Sequence, residues 1–302
     1  MRVFRSASVI LVVLILSACS RTGLVYNNAD WLIYRWADGL LDAEGDQAER
    51  WRALFGKVMT RHRRELLPDV VTLLHRVSEQ TRPRLTPTGL ACVAESTERL
   101  LTTHARLLVD PAAEVLSGIS PAQLAHLQAE LDERNRDYRE RFLQSDPQQR
   151  EMARFERFVE RIERWTGDLT TEQLRLVRDA VRNMPDLAGD WLAYREQQQD
   201  RLIALLGGHA DKAGLRVFLT DWWVHRRDRD ARLTERFGQV RDATLRLILA
   251  LDDNLDDGQR AYFQRRVSGM RDDLAGLIDG RFDVAKLRSD DDACAQRHAG
   301  AG

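Results

Sequence analysis

Apolar side chains recur every three or four residues along most of the chain, and charged residues fill the positions between them. Two stretches show the pattern best, one with Leu124, Leu127, Leu131, Tyr138 and Phe142, the other with Phe263, Val267, Met270, Leu274 and Leu277. This spacing gives each helix one apolar stripe, as in antiparallel helical bundles. The sequence shows no convincing pair of alternating strands. We therefore predict an all-α fold, a multi-helix bundle of antiparallel helical hairpins.

Proline marks several predicted helix starts. Asp110-Pro111, Ser120-Pro121 and Asp146-Pro147 each place a capping side chain before a proline, which is favoured at the first helical position. Together with the apolar period, these signals predict nine or ten helices, of which the ninth is expected to be broken once. The predicted ranges are 29–41, 46–67, 68–80, 87–109, 120–144, 147–166, 170–184, 186–206, 212–250 and 256–279.

A capping residue followed three positions later by glutamine recurs along the chain. The pairs are Ser120 and Gln123, Thr170 and Gln173, and Asp256 and Gln259. In such a capping box the first side chain accepts a hydrogen bond from the third helical N–H, and the glutamine side chain bonds the N–H of the cap residue. The pattern therefore predicts helix starts before it predicts any chemistry.

The beginning of the chain has the organisation of a bacterial secretory signal. Arg2 and Arg5 supply positive charge, residues 9–16 are continuously apolar, and small residues lead to Cys19. The apolar run is too short to span a bilayer, which takes about 20 residues. The ending Leu16-Ser17-Ala18-Cys19 resembles the lipobox of lipoproteins, which implies that Cys19 is acylated and becomes the first mature residue.

With the helical pattern described above, this resemblance divides the chain into four predicted segments. They are a lipoprotein signal peptide at 1–18, a lipidated tether at 19–28, a helical domain at 29–282 and a polar C-terminal tail at 283–302. In the lipoprotein sorting scheme, the residue after the cysteine selects the membrane, and Ser20 in place of aspartate favours the outer membrane. We expect the periplasmic face of that membrane, and anchoring to the inner membrane stays open.

Composition excludes some classes of function. The chain is 43% hydrophobic and 31% charged, as expected for a folded protein rather than a disordered one. Its formal net charge is −1, and loss of Arg2 and Arg5 with the signal would make the mature chain slightly more acidic. Such a balance argues against nucleic acid as a partner, because nucleic-acid binding surfaces are strongly basic.

Two cysteines, Cys92 and Cys294, remain besides Cys19. Because the bacterial envelope is oxidising, we predict a disulfide between them that ties the C-terminal tail to an early helix. The alternative is two buried, unreactive thiols. Their wide spacing, with no C-x-x-C, argues against zinc binding or redox catalysis.

Two resemblances to families follow from short stretches. Leu24-Val25-Tyr26-Asn27, Asp30-Trp31-Leu32 and the segment at 62–68 resemble an uncharacterised, domain-of-unknown-function family of proteobacterial lipoproteins. That resemblance implies an all-helical envelope lipoprotein and assigns no catalytic residue. More weakly, residues 169–173 resemble the Leu-Thr-x-x-Gln motif of periplasmic Spy-type proteins, which implies chaperone activity.

The most chemical-looking segments are two similar helical stretches. They read His62-Arg63-Arg64-Glu65 and His225-Arg226-Arg227-Asp228. Packed side by side, they would bring two histidines and two acids into one metal or acid–base site. The alternative, which we prefer, is that each histidine bonds a neighbouring side chain. The sequence contains neither H-E-x-x-H nor G-x-S-x-G, so we predict no catalytic residue, no metal and no cofactor.

Tryptophan-rich and charged stretches are expected mainly to serve the fold, as core and as solvated surface. We expect Trp31, Tyr34 and Trp36 to pack in the core, although aromatics so close to a lipid anchor also suit a membrane interface. We expect core positions for the adjacent Trp222 and Trp223, of which one alternatively lines a groove. The charged run at 226–230 is expected to be solvated helix surface.

These features favour a lipid-anchored envelope protein that is not an enzyme. It would bind the membrane through its N-terminal lipid. As an adaptor in the periplasm, it would bind another protein or envelope component through helix faces or a groove. A Spy-like holdase is the first alternative. An enzyme acting on peptidoglycan or lipid is the second, and it would require a cleft with a perturbed carboxylate or histidine.

Overall fold

The computed structural model describes residues 21–144 and 146–278, and every regular element in these ranges is helical. The α-helices are α1 (Arg21–Asn27), α2 (Ala29–Leu41), α3 (Gln47–Glu65), α4 (Leu67–Thr81), α5 (Pro87–Leu116), α6 (Pro121–Phe142), α7 (Pro147–Thr166), α8 (Thr171–Asn183), α9 (Ala188–Gly207), α10 (Lys212–Leu219), α11 (Ala231–Asp253) and α12 (Asp257–Ala275). A π-helix, Thr220–His225, follows α10 directly. The all-α prediction is confirmed.

The predicted break in the ninth helix lies at the π-helix. Its last residue is followed by Arg226, which has a left-handed backbone with φ of 53°, and by an irregular loop before α11. The structure differs from the prediction in the tether at 19–28, where residues Arg21–Asn27 form helix α1.

Helix α5 contradicts the predicted helix start at Asp110-Pro111. The helix runs without interruption from Pro87 to Leu116, with Pro111 inside it. Proline lacks the N–H that would bond four residues back, so this position weakens the helix locally. Burial of Val109 and Ala113 in the core offsets that cost. Asp110 forms an ion pair with Arg216 of α10 at 2.6 Å, which gives its carboxylate a role other than capping.

One large core joins helices from the N-terminal part of the chain to α9, α10 and the π-helix. Its buried side chains include Tyr34 of α2, Trp51 and Phe55 of α3, and Leu215 and Leu219 of α10. Trp222 and Trp223, both half-buried, pack against the same core. Helices α5, α6 and α9 complete it, which explains why apolar periods recur so far apart in the chain.

A second core lies between α7, α8 and α11. Val177, Val181 and Leu251 are buried at its centre. Phe155 and Ile162 of α7 pack against them. These α7 side chains fall on one side of the helix, which leaves its other sides for different contacts.

Buried polar contacts join α12 to α4 and α11. The carboxylate of Asp252 accepts hydrogen bonds from the guanidinium of Arg260 at 2.8 Å and from the N–H of Leu85 at 2.8 Å. Gln264 of α12 accepts a hydrogen bond from Ser78 of α4 at 2.8 Å. Because buried polar groups are costly unless satisfied, these contacts fix how the C-terminal helix sits on the bundle.

The three expected capping boxes are present, at Ser120 with Gln123, Thr170 with Gln173 and Asp256 with Gln259. Sequence reasoning missed a related arrangement at the start of α3. There the carboxamide oxygen of Gln47 accepts from the N–H of Glu44 at 2.9 Å. Glutamate is not a usual cap residue, so the pattern was not recognisable.

Candidate functional site

A cleft bordered by α6, α7, α9 and α11 brings arginine side chains and aromatic rings together. Its volume is about 440 Å³, within the range of about 300–1,000 Å³ that small-molecule sites usually occupy. Four arginines line it, and no aspartate or glutamate does. They are Arg154, Arg157, Arg161 and Arg229.

Helix α7 supplies three of these arginines because of their spacing. Arg154, Arg157 and Arg161 stand three and four positions apart, so they share one face of the helix. Arg154 is held in place by hydrogen bonds from its guanidinium to the carbonyl oxygens of Met184 and Pro185, at 3.2 and 3.3 Å. Arg161, which is more exposed, lies at the mouth of the cleft.

Arg229 enters the cleft from the loop between the π-helix and α11. Its guanidinium carbon lies 4.5 Å from the ring centre of Phe237 and 5.8 Å from that of Trp191. Its Nε is buried and has no hydrogen-bond partner within the described residues. The prediction that residues 226–230 form solvated helix surface is wrong: the run forms a loop between the π-helix and α11, and Arg229 within it is partly buried. Aromatic side chains of α9, which are distant in sequence, and Phe237 of the following helix α11 surround Arg229.

Aromatic rings form the apolar part of the cleft. Tyr138 and Phe142 of α6 pack against each other, with ring centres 4.5 Å apart and ring planes tilted by 37°. Arg157 lies over Phe142, 4.8 Å from its ring centre. Such cation–π contacts orient a guanidinium but do not neutralise its charge.

Three carboxylates of the surrounding helices pair with arginines that do not line the cleft. On α7, Glu151 pairs with Arg182 at 2.8 Å and Glu160 pairs with Arg164 at 3.0 Å. On α9, Asp190 pairs with Arg236 at 3.0 Å. The arginines of the cleft therefore keep their positive charge without an ionic partner in the described part of the chain.

This crowding of like charge affects the arginines themselves. Burial, followed by the positive charges of Arg161, Arg141 and Arg154, lowers the pKa of Arg157, and Asp186 acts in the opposite direction. Burial and the charge of Arg226 likewise lower the pKa of Arg229. Both groups stay protonated, since an arginine side chain starts far above neutral pH. An anion in the cleft would relieve the repulsion.

The two His-Arg-Arg segments do not form a shared site. His62 lies instead in a chain of ring contacts, with its Nδ1 2.7 Å from the hydroxyl of Tyr26 and its Nε2 3.0 Å from Nε2 of His104. Nδ1 of His104 lies 2.7 Å from the carbonyl oxygen of Leu100. His225 ends the π-helix as an exposed residue. In the described residues, no three or more His, Cys, Asp or Glu side chains cluster in a way that could hold a metal ion.

An exposed apolar face covers the N-terminal helices. Trp31 and Trp36 of α2 are 53% and 62% exposed, and Leu32 is exposed beside them. The prediction that all three aromatics of this helix pack in the core is wrong for Trp31 and Trp36 and holds for Tyr34. Successive helical residues are about 100° apart, and the inward side of α2 is already occupied by Tyr34, Ala37 and their neighbours.

The predicted lipidation residue, Cys19, and the predicted disulfide partner, Cys294, lie outside the described residues. Cys92 is buried in α5 and is disulfide-bonded. Its pairing with Cys294 stays a prediction. Within residues 21–144 and 146–278, no helix has the length and apolar character that crossing a bilayer requires.

A sequence profile of DUF6279, a family of unknown function, matches residues 39–229, more than half of the chain. The chain belongs to this family. The match fits the uncharacterised family that the N-terminal motifs indicated. Comparison with curated proteins and with solved structures gives no significant match.

The DUF6279 region includes all four arginines of the cleft and ends at Arg229 itself. The sequence analysis did not identify Arg154, Arg157 and Arg161 as candidate site residues, and it placed Arg229 only in a charged surface run. The available signal was the alternation of arginine and phenylalanine at 154–158, which places both residue types on α7. The lack of acids around them depends on three other helices and could not be read from that stretch.

Proposed function

We propose that this DUF6279 protein is a lipid-anchored component of the bacterial envelope that acts as a non-catalytic binding module. Acyl chains on Cys19 would hold it at the periplasmic face of the outer membrane. The observation that carries the proposal is the exposed apolar face of α1 and α2, formed by Leu24, Val25, Trp31, Leu32 and Trp36.

This apolar face lies close in sequence to the residue predicted to carry the lipid. Only five bonds of the Cα trace separate Cys19 from Leu24, so even an extended chain would hold Leu24 within about 18 Å of the acylated residue. Half of the exposed large hydrophobic side chains of the described chain lie between Leu24 and Trp36. Tryptophan favours the boundary between lipid and water. The exposed apolar face therefore supports the proposal that α1 and α2 lie against the membrane to which Cys19 is anchored.

Replacement of Cys19 by alanine in the full-length precursor tests the anchoring. We expect the wild-type protein to incorporate an alkyne-tagged fatty acid and to lose residues 1–18, and the Cys19→Ala protein to do neither. A Cys92→Ala precursor is the matched control and should be acylated normally. Normal processing of the Cys19→Ala protein would refute the lipoprotein proposal.

Crosslinking in the intact envelope, followed by mass spectrometry, tests the binding role. One or two partners captured by the lipidated protein at fixed stoichiometry would support an adaptor. The Cys19→Ala protein, which would not reach its membrane, gives the background. Absence of any partner above that background would contradict the adaptor role.

A chaperone role is a second candidate, and the recurrent glutamine capping boxes favour it, because they match the motif of Spy-type proteins in form. This role predicts a broad mixture of captured proteins that grows under unfolding stress. It also predicts that the purified protein, near equimolar ratio, slows aggregation of a heat-denatured client enzyme. Capture of one fixed partner, with no effect on aggregation, would exclude it.

A further inference from the structure

The arginine cleft is more specific than a general binding surface, because its charge and its apolar lining occur together. Tyr138, Phe142 and Phe237 present rings to the same cavity as Arg157 and Arg229. A ligand that fills it must satisfy both surfaces. Charge alone would favour a hydrated inorganic anion, and rings alone would favour a neutral apolar molecule.

We propose that this cleft binds an amphiphilic anion, a molecule with a phosphate or carboxylate group on an apolar chain. The anionic group would lie among Arg154, Arg157 and Arg161, and the apolar chain would lie against the rings of α6 and α11. This inference deepens the proposed binding role and rests on it, but it does not depend on acylation of Cys19.

The free donors of the arginines support the anionic end. In Arg154 one terminal nitrogen bonds the carbonyl oxygens of Met184 and Pro185, which fixes the side chain and leaves its other nitrogens available. Arg157 and Arg161 form no side-chain hydrogen bond or ion pair in the described structure, and Arg157 is oriented by its contact with Phe142. Planar guanidinium groups held in this way suit bidentate recognition of phosphate or carboxylate oxygens.

Crowded charge argues against a purely structural role for these side chains. If these arginines only packed on aromatic rings, nothing would require several of them to lie close together, where their positive charges repel one another. Arg157 has three arginines close enough to lower its pKa, with Asp186 as the opposing acid. The carboxylate of Asp186 also accepts a hydrogen bond from the N–H of Ala188 at 3.1 Å. Four arginines with one nearby acid leave the cleft positively charged, and such a surface favours an anionic ligand.

Decyl phosphate, used below its micelle-forming concentration, is a suitable probe. The protein would be the whole mature chain, 19–302, with Cys19→Ser so that it carries no lipid of its own. Isothermal titration calorimetry would compare decyl phosphate with decanoate, inorganic phosphate and decyltrimethylammonium. Failure of the lipoprotein proposal would not affect this experiment, so the two proposals can fail separately.

We expect decyl phosphate or decanoate to bind at a ratio of one to one, and decyltrimethylammonium not to bind. Arg157→Gln should weaken binding by at least about tenfold, because it removes a charged hydrogen-bond donor. Arg161→Gln, at the exposed mouth, should weaken it in the same direction and guards against a folding defect in the first variant. Arg164→Gln is the matched control, since Arg164 is on the same helix but pairs with Glu160 outside the cleft.

Each contrary outcome overturns the proposal. Equal binding of the cationic amphiphile would show that charge plays no part. Equal binding of inorganic phosphate would show a simple anion site that makes no use of the rings. Binding that Arg157→Gln and Arg161→Gln leave unchanged, or no binding of any probe, would place no amphiphilic anion in this cleft.

Discussion

The carboxamides of Gln173 and Gln259 donate to each other across the contact between the first turns of α8 and α12. Their Nε2-to-Oε1 distances are 2.7 and 3.0 Å. Each Nε2 also donates to the carbonyl oxygen two residues before the partner's capping residue, at Asn254 and Asp168. Each Oε1 further accepts from the N–H of its own cap residue. Every donor and acceptor of these two buried amides is therefore satisfied.

The same arrangement joins α3 to α6 in the other half of the molecule. Gln47 and Gln123 exchange amide hydrogen bonds at 3.2 and 2.8 Å. Gln47 donates to the carbonyl oxygen of Gly118, two residues before the cap residue Ser120, and Gln123 donates to that of Asp42, which precedes α3. The protein thus contains two glutamine pairs that each join two helix starts, although in the second pair only α6 begins with a capping box.

Removal of one glutamine of the Gln173–Gln259 pair should destabilise the fold. Gln173→Ala would leave the amide of Gln259 and the backbone groups at Thr170 and Asn254 short of a bond. We expect the free energy of unfolding to fall by about 3 kcal/mol, since unsatisfied buried groups cost about 1–3 kcal/mol each. Urea unfolding measures this change. Gln239→Ala, at an exposed position of α11, should change it by less than about 0.5 kcal/mol.

A double-mutant cycle separates the pair from its surroundings. Gln173→Ala combined with Gln259→Ala should destabilise less than the sum of the two single changes, because neither amide is then left without its partner. Additive losses would show that the two side chains act only as independent caps.

A second prediction concerns pH. Burial, followed by the charge of His104, lowers the pKa of His62 to about 4. In the unfolded chain the pKa of histidine is about 6.5. Between these values the unfolded state takes up a proton that the folded state does not, so stability falls as the pH falls through this window. Above about pH 6.5 both states are neutral at His62 and the effect vanishes.

We expect this histidine to account for a loss of about 1–2 kcal/mol between pH 7 and pH 4.5, an amount reduced because the ring is partly exposed to solvent. Urea unfolding of wild-type and His62→Gln proteins at the two pH values measures it. The variant should lose less stability on acidification. His225→Gln, at an exposed position, should behave as wild type. An unchanged pH dependence in His62→Gln would contradict the assignment.

The contact of His62 with Tyr26 also shows what sequence could and could not reveal. Both residues lie in stretches that carried the family resemblance, and Asn27 similarly accepts a hydrogen bond from Arg63 at 2.7 Å. The sequence indicated that these stretches matter but not that α1 docks on α3. His104, the third member, had no neighbouring signal, because its position depends on how α5 packs.

Local chemistry was predicted well and long-range packing was not. Ser120, Thr170 and Asp256 begin helices because capping involves residues three apart. Pro111 misled the prediction, since burial of its neighbours overrides the local cost. Arg229 was assigned to solvent from its charged neighbours in sequence, whereas its surroundings come from α9 and α11.

A third prediction concerns Cys92, which is buried and disulfide-bonded. If Cys294 is its partner, non-reducing digestion of the mature protein should yield the two cysteine peptides as one linked species. Cys294→Ser should lower the free energy of unfolding by about 2–4 kcal/mol, because the bond closes a long loop. Reductant should destabilise the wild-type protein and leave the variant unchanged. Free thiols at both positions would dismiss the pairing.

The last prediction tests the exposed tryptophans of α2 apart from the acyl anchor. In the unacylated Cys19→Ser chain, Trp31→Ser and Trp36→Ser should each reduce binding to phospholipid vesicles by roughly tenfold, because a large apolar side chain contributes about 1.5–3 kcal/mol when it leaves water. Co-sedimentation with sucrose-loaded vesicles measures the partition. Leu101→Ser, at an exposed position of α5, removes comparable apolar exposure elsewhere and should have little effect. If Leu101→Ser lowered binding as much as the tryptophan changes, the N-terminal face would have no special relation to the membrane.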